Sequence, residues 1–439
     1  MDGLAENTID PARVPGLIRQ SFALIAKIPD KVAAHFYALI FTEYPEIRDM
    51  FPPMMDHQRD RLFEALVLVV GRCDEPETLV DYLRQLGRDH RKFGAKPEHY
   101  DVVWRCLITA MKRFADASWT PEMDAAWRAA FQIVAGTMID AAEEAAQSSP
   151  AWWTARVVGH EQRTRDIAVI TFAPDHPYPF RPGQYASLET QRWPRVWRQF
   201  SLANAPRADG TLTLHVRAVP AGWVSNALVN HTRVGDTVRM GPAVGTMLCN
   251  TASARDVLCI AGGTGLAPIK ALIEDMATWN TNRRVRLFFG ARRAEDHYDL
   301  RDLNLLAQRC PWLSIFTPVS HDPRHPGERG MLPDVVARHG EFFEHWNHHD
   351  VYVAGSAAMV RSTIARLQEL EIPLAHIRFD AQGETAGVFG GQSHDDRSPA
   401  PGRTAAPYQA SKSSSTAGVS GLDWHARMNP SAFSSGSKA

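Results

Sequence analysis

The spacing of apolar residues changes twice along this chain, so its parts must fold as separate units with different secondary structure. Up to about residue 147, apolar side chains recur at three- and four-residue steps: Leu17, Phe22, Leu24, Ile25, Ile28, then Val32, Phe36, Leu39 and Ile40. That spacing predicts helices throughout the segment. Thr120-Pro121-Glu122 supplies an N-cap, a first-turn proline and an acid, so one helix is expected to begin at Pro121. Ser148-Ser149-Pro150 breaks the pattern. From Trp152 the residues alternate, in TARVVGHEQRT, DIAVITFAP, QYASLET and TLTLHVRAV, which predicts the short strands of an antiparallel β-barrel. From Val257 the runs VLCIAGG, VRLFFGA, LSIFTPV and DVYVAGS are apolar on both faces and alternate with helical stretches such as APIKALIEDMATW. That is the pattern of an α/β parallel sheet. The expected fold is multidomain: all-α over 1–147, an antiparallel β-barrel over 151–253, and an α/β parallel-sheet domain over 254–383. Residues 384–439 are rich in Ser, Gly, Ala and Pro and are expected to be a disordered tail.

Composition narrows the partners. A net charge of −1 over 439 residues argues against nucleic acid or an anionic membrane as the main target. No run approaches the ~18 apolar residues of a membrane span, and MDGLAENTID has neither the basic nor the apolar region of an export signal. Five cysteines, widely spaced and without a CxxC pair, exclude a disulfide framework, a zinc finger and c-type haem attachment. The expectation is a cytoplasmic enzyme, monomeric or weakly associated, with no stable membrane insertion.

The strand VLCIAGG runs into Gly262-Gly263-Thr264-Gly265 and then a helix, a turn that lets a diphosphate approach backbone N–H groups. The run DVYVAGS ends in Gly355 and Ser356, at the same carboxyl edge where open α/β sheets bind ligands. Upstream lie RPGQY, ending at Tyr185; then Arg198, Phe200 and Ser201 in RQFS; then Gly222, Val224 and Ser225 in GWVS. In this order the motifs resemble the ferredoxin–NADP reductase superfamily. The resemblance implies FAD in the barrel and NAD(P)H on the sheet. Arg198 would meet the FAD diphosphate, Ser201 the ring edge, Phe200 and Tyr185 the ring or ribityl chain, and Val224 and Ser225 the diphosphate. Arg292 and Arg293 follow VRLFFGA, where a 2′-phosphate is received, but Glu295 and Asp296 lie beside them, which leans the expectation towards NADH.

A haem pocket needs one axial imidazole, apolar walls and a polar distal group. The helical segment offers His35, His57, His90 and His99. HFYALIFTEYPEIRDMF, HQRDRLFEAL and RDHRKFGAKPEHY resemble, in order, the landmarks of the flavohaemoglobin globin domain. The resemblance implies haem b with His90 as the proximal iron ligand and Phe51 against the porphyrin. Tyr37 and Gln58 would be distal groups for O2, Leu62 an apolar neighbour one turn on, and Tyr100 a proximal residue. It covers residues 11 to 383 and implies an NAD(P)H-dependent nitric oxide dioxygenase, with O2 and NO as small ligands. Two other readings stand beside it: a flavohaem reductase with a different electron donor or acceptor, and a haem-based O2 or NO sensor or carrier.

The chain departs from the family pattern at several points. The expected proximal glutamate falls on Ala142, with Glu143 and Glu144 adjacent. Asp89 precedes His90 where lysine is common, and the link from Phe51 to Gln58 is about three residues short. Ala354 replaces the usual reductase cysteine, Gln382 the flavin-covering aromatic, and Phe200 a commoner tyrosine.

Overall fold

The computed structural model describes residues 9–382 apart from 76, 344 and 345; the expected tail, 384–439, lies outside the described residues. The chain divides into two compact units at Ser149/Pro150.

The first unit is helical: α1 (Val14–Ile25), α2 (Pro29–Glu43), α3 (Asp56–Gly71), α4 (Glu77–His90), α5 (Pro97–Ala115) and α6 (Pro121–Ala146). Helix α6 begins where its sequence predicts, with the Thr120 hydroxyl accepting from the Met123 N–H at 3.3 Å. Apolar residues from α1, α2, α5 and α6 form the main core, including Ile18, Ile25, Ile40, Met111 and Ala126. Within it the Trp127 indole donates to Ser21 Oγ at 2.7 Å, and Ser21 donates to the Leu17 carbonyl at 2.7 Å, so the buried polar atoms are satisfied. A second, smaller cluster of Leu79, Leu83 and Met138 joins α4 to α6. Those helices touch backbone to backbone: a Cβ on Gly87 would lie 2.2 Å from the Met138 carbonyl oxygen. Only glycine permits this approach, three residues before His90.

The second unit opens with six antiparallel strands and one short helix: β1 (Trp153–Gln162), β2 (Ile167–Pro174), β3 (Tyr185–Thr190), β4 (Arg198–Ser201), β5 (Leu212–Arg217), α7 (Trp223–Asn226) and β6 (Thr237–Val244). The order is β4-β3-β6-β1-β2-β5, and the ends are drawn together by a Leu202–Leu214 bridge and the Ala203 N–H to Thr213 carbonyl bond of 2.8 Å. The result is a nearly closed barrel around Phe172, Leu188, Leu202, Leu214 and Met240.

Five parallel strands follow: β7 (Asp256–Gly262), β8 (Val285–Gly290), β9 (Leu313–Phe316), β10 (His349–Ser356) and β11 (Ile377–Gln382). Their order is β11-β10-β7-β8-β9, with connecting helices α8 (Leu266–Trp279), α9 (Leu300–Arg309), α10 (Leu332–Phe343) and α11 (Ala357–Glu369). Alternation along β7 sends Val257 and Cys259 to the core shared with α8 and α9, and Leu258 and Ile260 to that shared with α10 and α11. The order reverses between β7 and β10, so the crevice between their carboxyl ends is the topological switch point. Strand β2 serves two cores. Its Ala168, Ile170 and Phe172 fill the barrel, while Ile167 and Val169 pack into the core of the parallel sheet.

Candidate cofactor sites

His90 ends α4. Its Nδ1 lies 2.7 Å from the Leu86 carbonyl oxygen, which can only accept, so Nδ1 carries the proton and Nε2 keeps its lone pair. That is the second partner a metal-bound imidazole normally has. Burial lowers the His90 pKa, which also favours the neutral ring. Phe93 meets the imidazole edge-on with centroids 6.0 Å apart. Partly buried Leu86, Tyr82, Tyr100 and Val134 border the α4–α6 cluster, and partly buried Phe51, Leu62 and Leu66 border the main core. A neutral histidine with its Nε2 lone pair kept and Phe93 beside the ring is a donor set that fits haem. Among the described residues no three His, Cys, Asp or Glu side chains converge on a metal site, and haem iron requires only one such ligand here.

The distal candidates meet at one bond. The Tyr37 hydroxyl donates to the backbone carbonyl of Gln58 at 3.2 Å, and Phe51 packs edge-on against the Tyr37 ring at 5.6 Å. Burial pushes the Tyr37 phenol up to about 12, so it is a donor at any neutral pH. Gln58 and Leu62 share one face of α3. On the proximal side, Tyr100 is partly buried, its phenol also pushed up to about 12 by burial, and it makes no hydrogen bond to His90. Nor, among the described residues, does a carboxylate: Glu144 pairs with Arg84 of α4, Glu143 is exposed, and Ala142 has nothing to offer.

In the barrel, the register of β3 against β4 sets Tyr185 opposite Ser201, Ala186 opposite Phe200, and Leu188 opposite Arg198. A guanidinium, a hydroxyl and two aromatic rings thus lie within a few residues on paired strands, which fits a flavin dinucleotide. Arg198 is exposed, with one nitrogen donating to the Trp197 carbonyl at 2.8 Å. The GWVS turn is tight: Ser225 donates to the Gly222 carbonyl at 3.2 Å, and Val224 points into the barrel core. Any contact of Val224 with a diphosphate therefore runs through its backbone.

At the sheet edge, Gly263, Thr264 and Gly265 make a single 3-10 turn between β7 and α8. A Cβ on Gly265 would lie 2.3 Å from the Ala354 carbonyl oxygen, so the turn is pressed onto β10. On Gly262 and Gly355 a Cβ would meet the methyl of Met359 at 2.9 and 2.2 Å, so both line one crevice between the strand ends. Ser356 caps α11, accepting from the Met359 N–H at 3.4 Å. These glycines leave the approach a diphosphate needs.

Two residues join these sets without having carried a motif. Asp380 of β11 accepts a hydrogen bond from Ser201 Oγ at 2.9 Å, linking the sheet to the expected flavin edge; burial raises its carboxyl pKa. Arg217, at the end of β5, holds its guanidinium 3.6–3.8 Å from where a Gly263 Cβ would be, a cation at the glycine turn. The run IRFDAQG and the end of LTLHVR were visible in the sequence, but which side chains meet there depends on the register of distant strands.

Comparison with known proteins agrees with this arrangement. Three domain families match in chain order: Globin over residues 34–138, Oxidoreductase FAD-binding domain over 154–248, and Oxidoreductase NAD-binding domain over 259–364. A flavohemoprotein of Bacillus cereus is 24% identical over 413 residues, covering 88% of this chain and 100% of the relative. A ferredoxin–NAD(P)(+) reductase component of a naphthalene 1,2-dioxygenase/salicylate 5-hydroxylase system from Ralstonia sp. is 33% identical over 226 residues, 51% of this chain and 67% of the relative. The crystal structure of a flavohemoglobin from Malassezia yamatoensis, with bound FAD and heme, has the same fold, with TM-score 0.69 over 84% of this chain and 99% of that one, at 18% identity. A globin followed by FAD- and NAD-binding reductase domains defines an oxidoreductase that passes electrons from a nicotinamide through a flavin to haem. The chain belongs to the flavohaemoglobin family, and its cofactors are haem, FAD and NAD(P)H.

Proposed function

We propose that this chain is an NAD(P)H-dependent nitric oxide dioxygenase, converting NO and O2 to nitrate. The reading is carried by one observation: a histidine prepared as an iron ligand occurs in the same chain as residue sets that fit a flavin and a nicotinamide. FAD supplies the conversion of a hydride into single electrons, and haem b supplies an iron that binds O2. The chain's own residues then divide the work. His90 holds the iron; Arg198 and the GWVS turn orient the flavin; Ser201 and Asp380 meet at its edge; Gly262 to Gly265, with Gly355 and Ser356, receive the dinucleotide. The Arg293 guanidinium is paired with Glu295 at 3.6 Å, which supports NADH as the donor. Rapid mixing of the holoprotein with NADH, O2 and NO tests the reading. NO consumption far faster than with free haem is expected, and a rate no faster than free haem would reject it.

Tyr37 orients dioxygen in this scheme. Its single proton is already given to the Gln58 carbonyl, so turning onto O2 exchanges one hydrogen bond for another. Tyr37→Phe should therefore speed O2 release about fivefold, the equivalent of roughly 1 kcal/mol. Flash photolysis or stopped-flow displacement measures it, and an unchanged rate would place Tyr37 outside the oxygen pocket.

A second reading, a flavohaem reductase serving another acceptor, is favoured by the proximal side. With the Leu86 carbonyl as its partner and no carboxylate, His90 is a less basic ligand than a carboxylate-bonded imidazole. Ala354 is likewise a methyl in an apolar core. If NADH bleaches the flavin promptly while haem reduction lags far behind reduction of an added acceptor, this second reading gains.

A further inference from the structure

The barrel meets the parallel sheet through a buried polar cluster that no sequence motif announces. Arg163 comes from the β1–β2 turn, His215 from β5, Lys270 from α8, Tyr298 and Asp299 from the segment entering α9, and Asp302 from the first turn of α9. Lys270 Nζ donates to Asp299 Oδ2 at 2.6 Å, with the Asp299 side chain 0% exposed. Arg163 donates to Asp302 at 2.9 Å and stands 3.7 Å from the other oxygen of Asp299. Beside them the Tyr298 hydroxyl and His215 Nδ1 are 2.8 Å apart, with the two rings edge to face at 5.4 Å. Ile167 and Val169 of β2, with Leu266 and Leu303, belong to the apolar core alongside.

Stability alone is a poor reason for such a cluster. A buried ion pair often gains little over well-packed apolar side chains, because both charges lose their hydration. Here burial raises the Asp299 carboxyl, and burial together with Lys270 and Arg163 drives the His215 imidazole well down, so the ring is neutral. His215 Nε2, Asp299 Oδ1 and Arg163 Nε are left without hydrogen-bond partners, each an added cost. What directional bonds provide, and greasy contacts do not, is one relative placement of the two sides.

That placement bears on the cofactor sites. His215 is two residues before Arg217, the cation at Gly263; Lys270 is five residues past Gly265 on the helix that the glycine turn starts. The consecutive residues Tyr298 and Asp299 therefore hold, by one bond each, the barrel strand that borders the glycine turn and the helix that leaves it. We propose that Tyr298 and Asp299 are positioning residues for hydride transfer, clamping β5 to α8 so that nicotinamide and flavin meet at a fixed separation. This rests on the reading that NAD(P)H reduces FAD in this unit.

The experiment is anaerobic stopped-flow bleaching of the flavin in the full-length holoprotein, with NADH and NADPH and with their 4-deuterated forms. Tyr298→Phe removes one oxygen. It should retain FAD absorbance and the NAD(P)H concentration for half-maximal rate, yet lower the limiting rate about tenfold, since a misplacement near 1 Å can cost ~10²-fold. The deuterium isotope effect should rise with it, a signature that loss of stability alone would not produce. Asp299→Asn should behave alike; if it fails to fold, Tyr298→Phe decides the matter. An unchanged limiting rate and isotope effect in Tyr298→Phe, on a wild type that bleaches promptly, would overturn the clamp and leave the electron-transfer reading intact. A wild type bleached by neither nucleotide would overturn that reading, and the clamp with it.

Discussion

His90→Ala is expected to abolish the Soret band of the purified protein while leaving flavin absorbance in place, and Arg198→Ala to do the reverse. The first change removes the one imidazole whose tautomer is set by the Leu86 carbonyl at 2.7 Å. Haem would then be held by apolar contact alone, without an iron–protein bond. The second removes the fixed guanidinium from β4; a charge-assisted contact to a phosphate is among the stronger polar interactions a site makes, roughly twice a neutral one. The crossed design matters because general damage mimics either loss taken alone, whereas reciprocal loss of one cofactor and retention of the other cannot come from misfolding. Absorbance at the Soret and flavin bands, with pyridine-haemochrome and released-flavin assays, gives both numbers. Survival of both cofactors in both variants would mean that these residues are not the anchors.

Gly265→Ala should be among the more damaging single-methyl additions in the reductase unit. The added carbon would lie 2.3, 2.4 and 2.5 Å from the Ala354 oxygen, the Ala354 carbonyl carbon and the Gly355 nitrogen. All three are main-chain atoms of β10, so no side chain can rotate away. Over-packing costs about 1–3 kcal/mol and occasionally more; contact with a central strand puts this case at the upper end. Relief requires the glycine turn to lift from β10, which widens the crevice proposed to receive the dinucleotide. Flavin bleaching by NADH should slow at least about tenfold, with FAD and haem content unchanged, on the scale that displacement of a bound reactant commonly costs. A normal bleaching rate would show that the turn does not set nicotinamide placement.

The architecture was legible because each domain writes a different period into the chain. Three- and four-residue spacing gave the helices, alternation gave β1, β2, β3 and β5, and doubly apolar runs gave β7 to β10. Two barrel strands were harder. β4 coincides with the RQFS motif and has no alternation of its own, while β6 contains Gly241 and Pro242, which read as turn residues. Among site residues, those fixed by local chain geometry carried a signal, such as the glycine turn or the α3 spacing of Gln58 and Leu62. Asp380, Arg217 and the Arg163–Lys270–Asp299 cluster did not. Each reads alone as an ordinary charged surface residue, and the partners lie 29 to 179 positions apart in the chain. The partner of His90 was equally hidden, since a backbone carbonyl leaves no trace in sequence.

Strand β2 has a consequence for how such a chain is inherited. With Ile167 and Val169 seated in the core of the neighbouring sheet, a gene segment coding for the barrel alone would yield a protein with two bare aliphatic side chains on one face. Each such side chain gains roughly 1.5–3 kcal/mol from burial, a sizeable share of a small domain's stability. Recombination that carries the barrel and the sheet together avoids this loss, and recombination that splits them does not. The Ralstonia match, at 226 residues, is longer than either domain family's match taken singly. The barrel and the sheet are thus best moved as a pair, and a chimera should be cut at Ser149/Pro150, where the two compact units part.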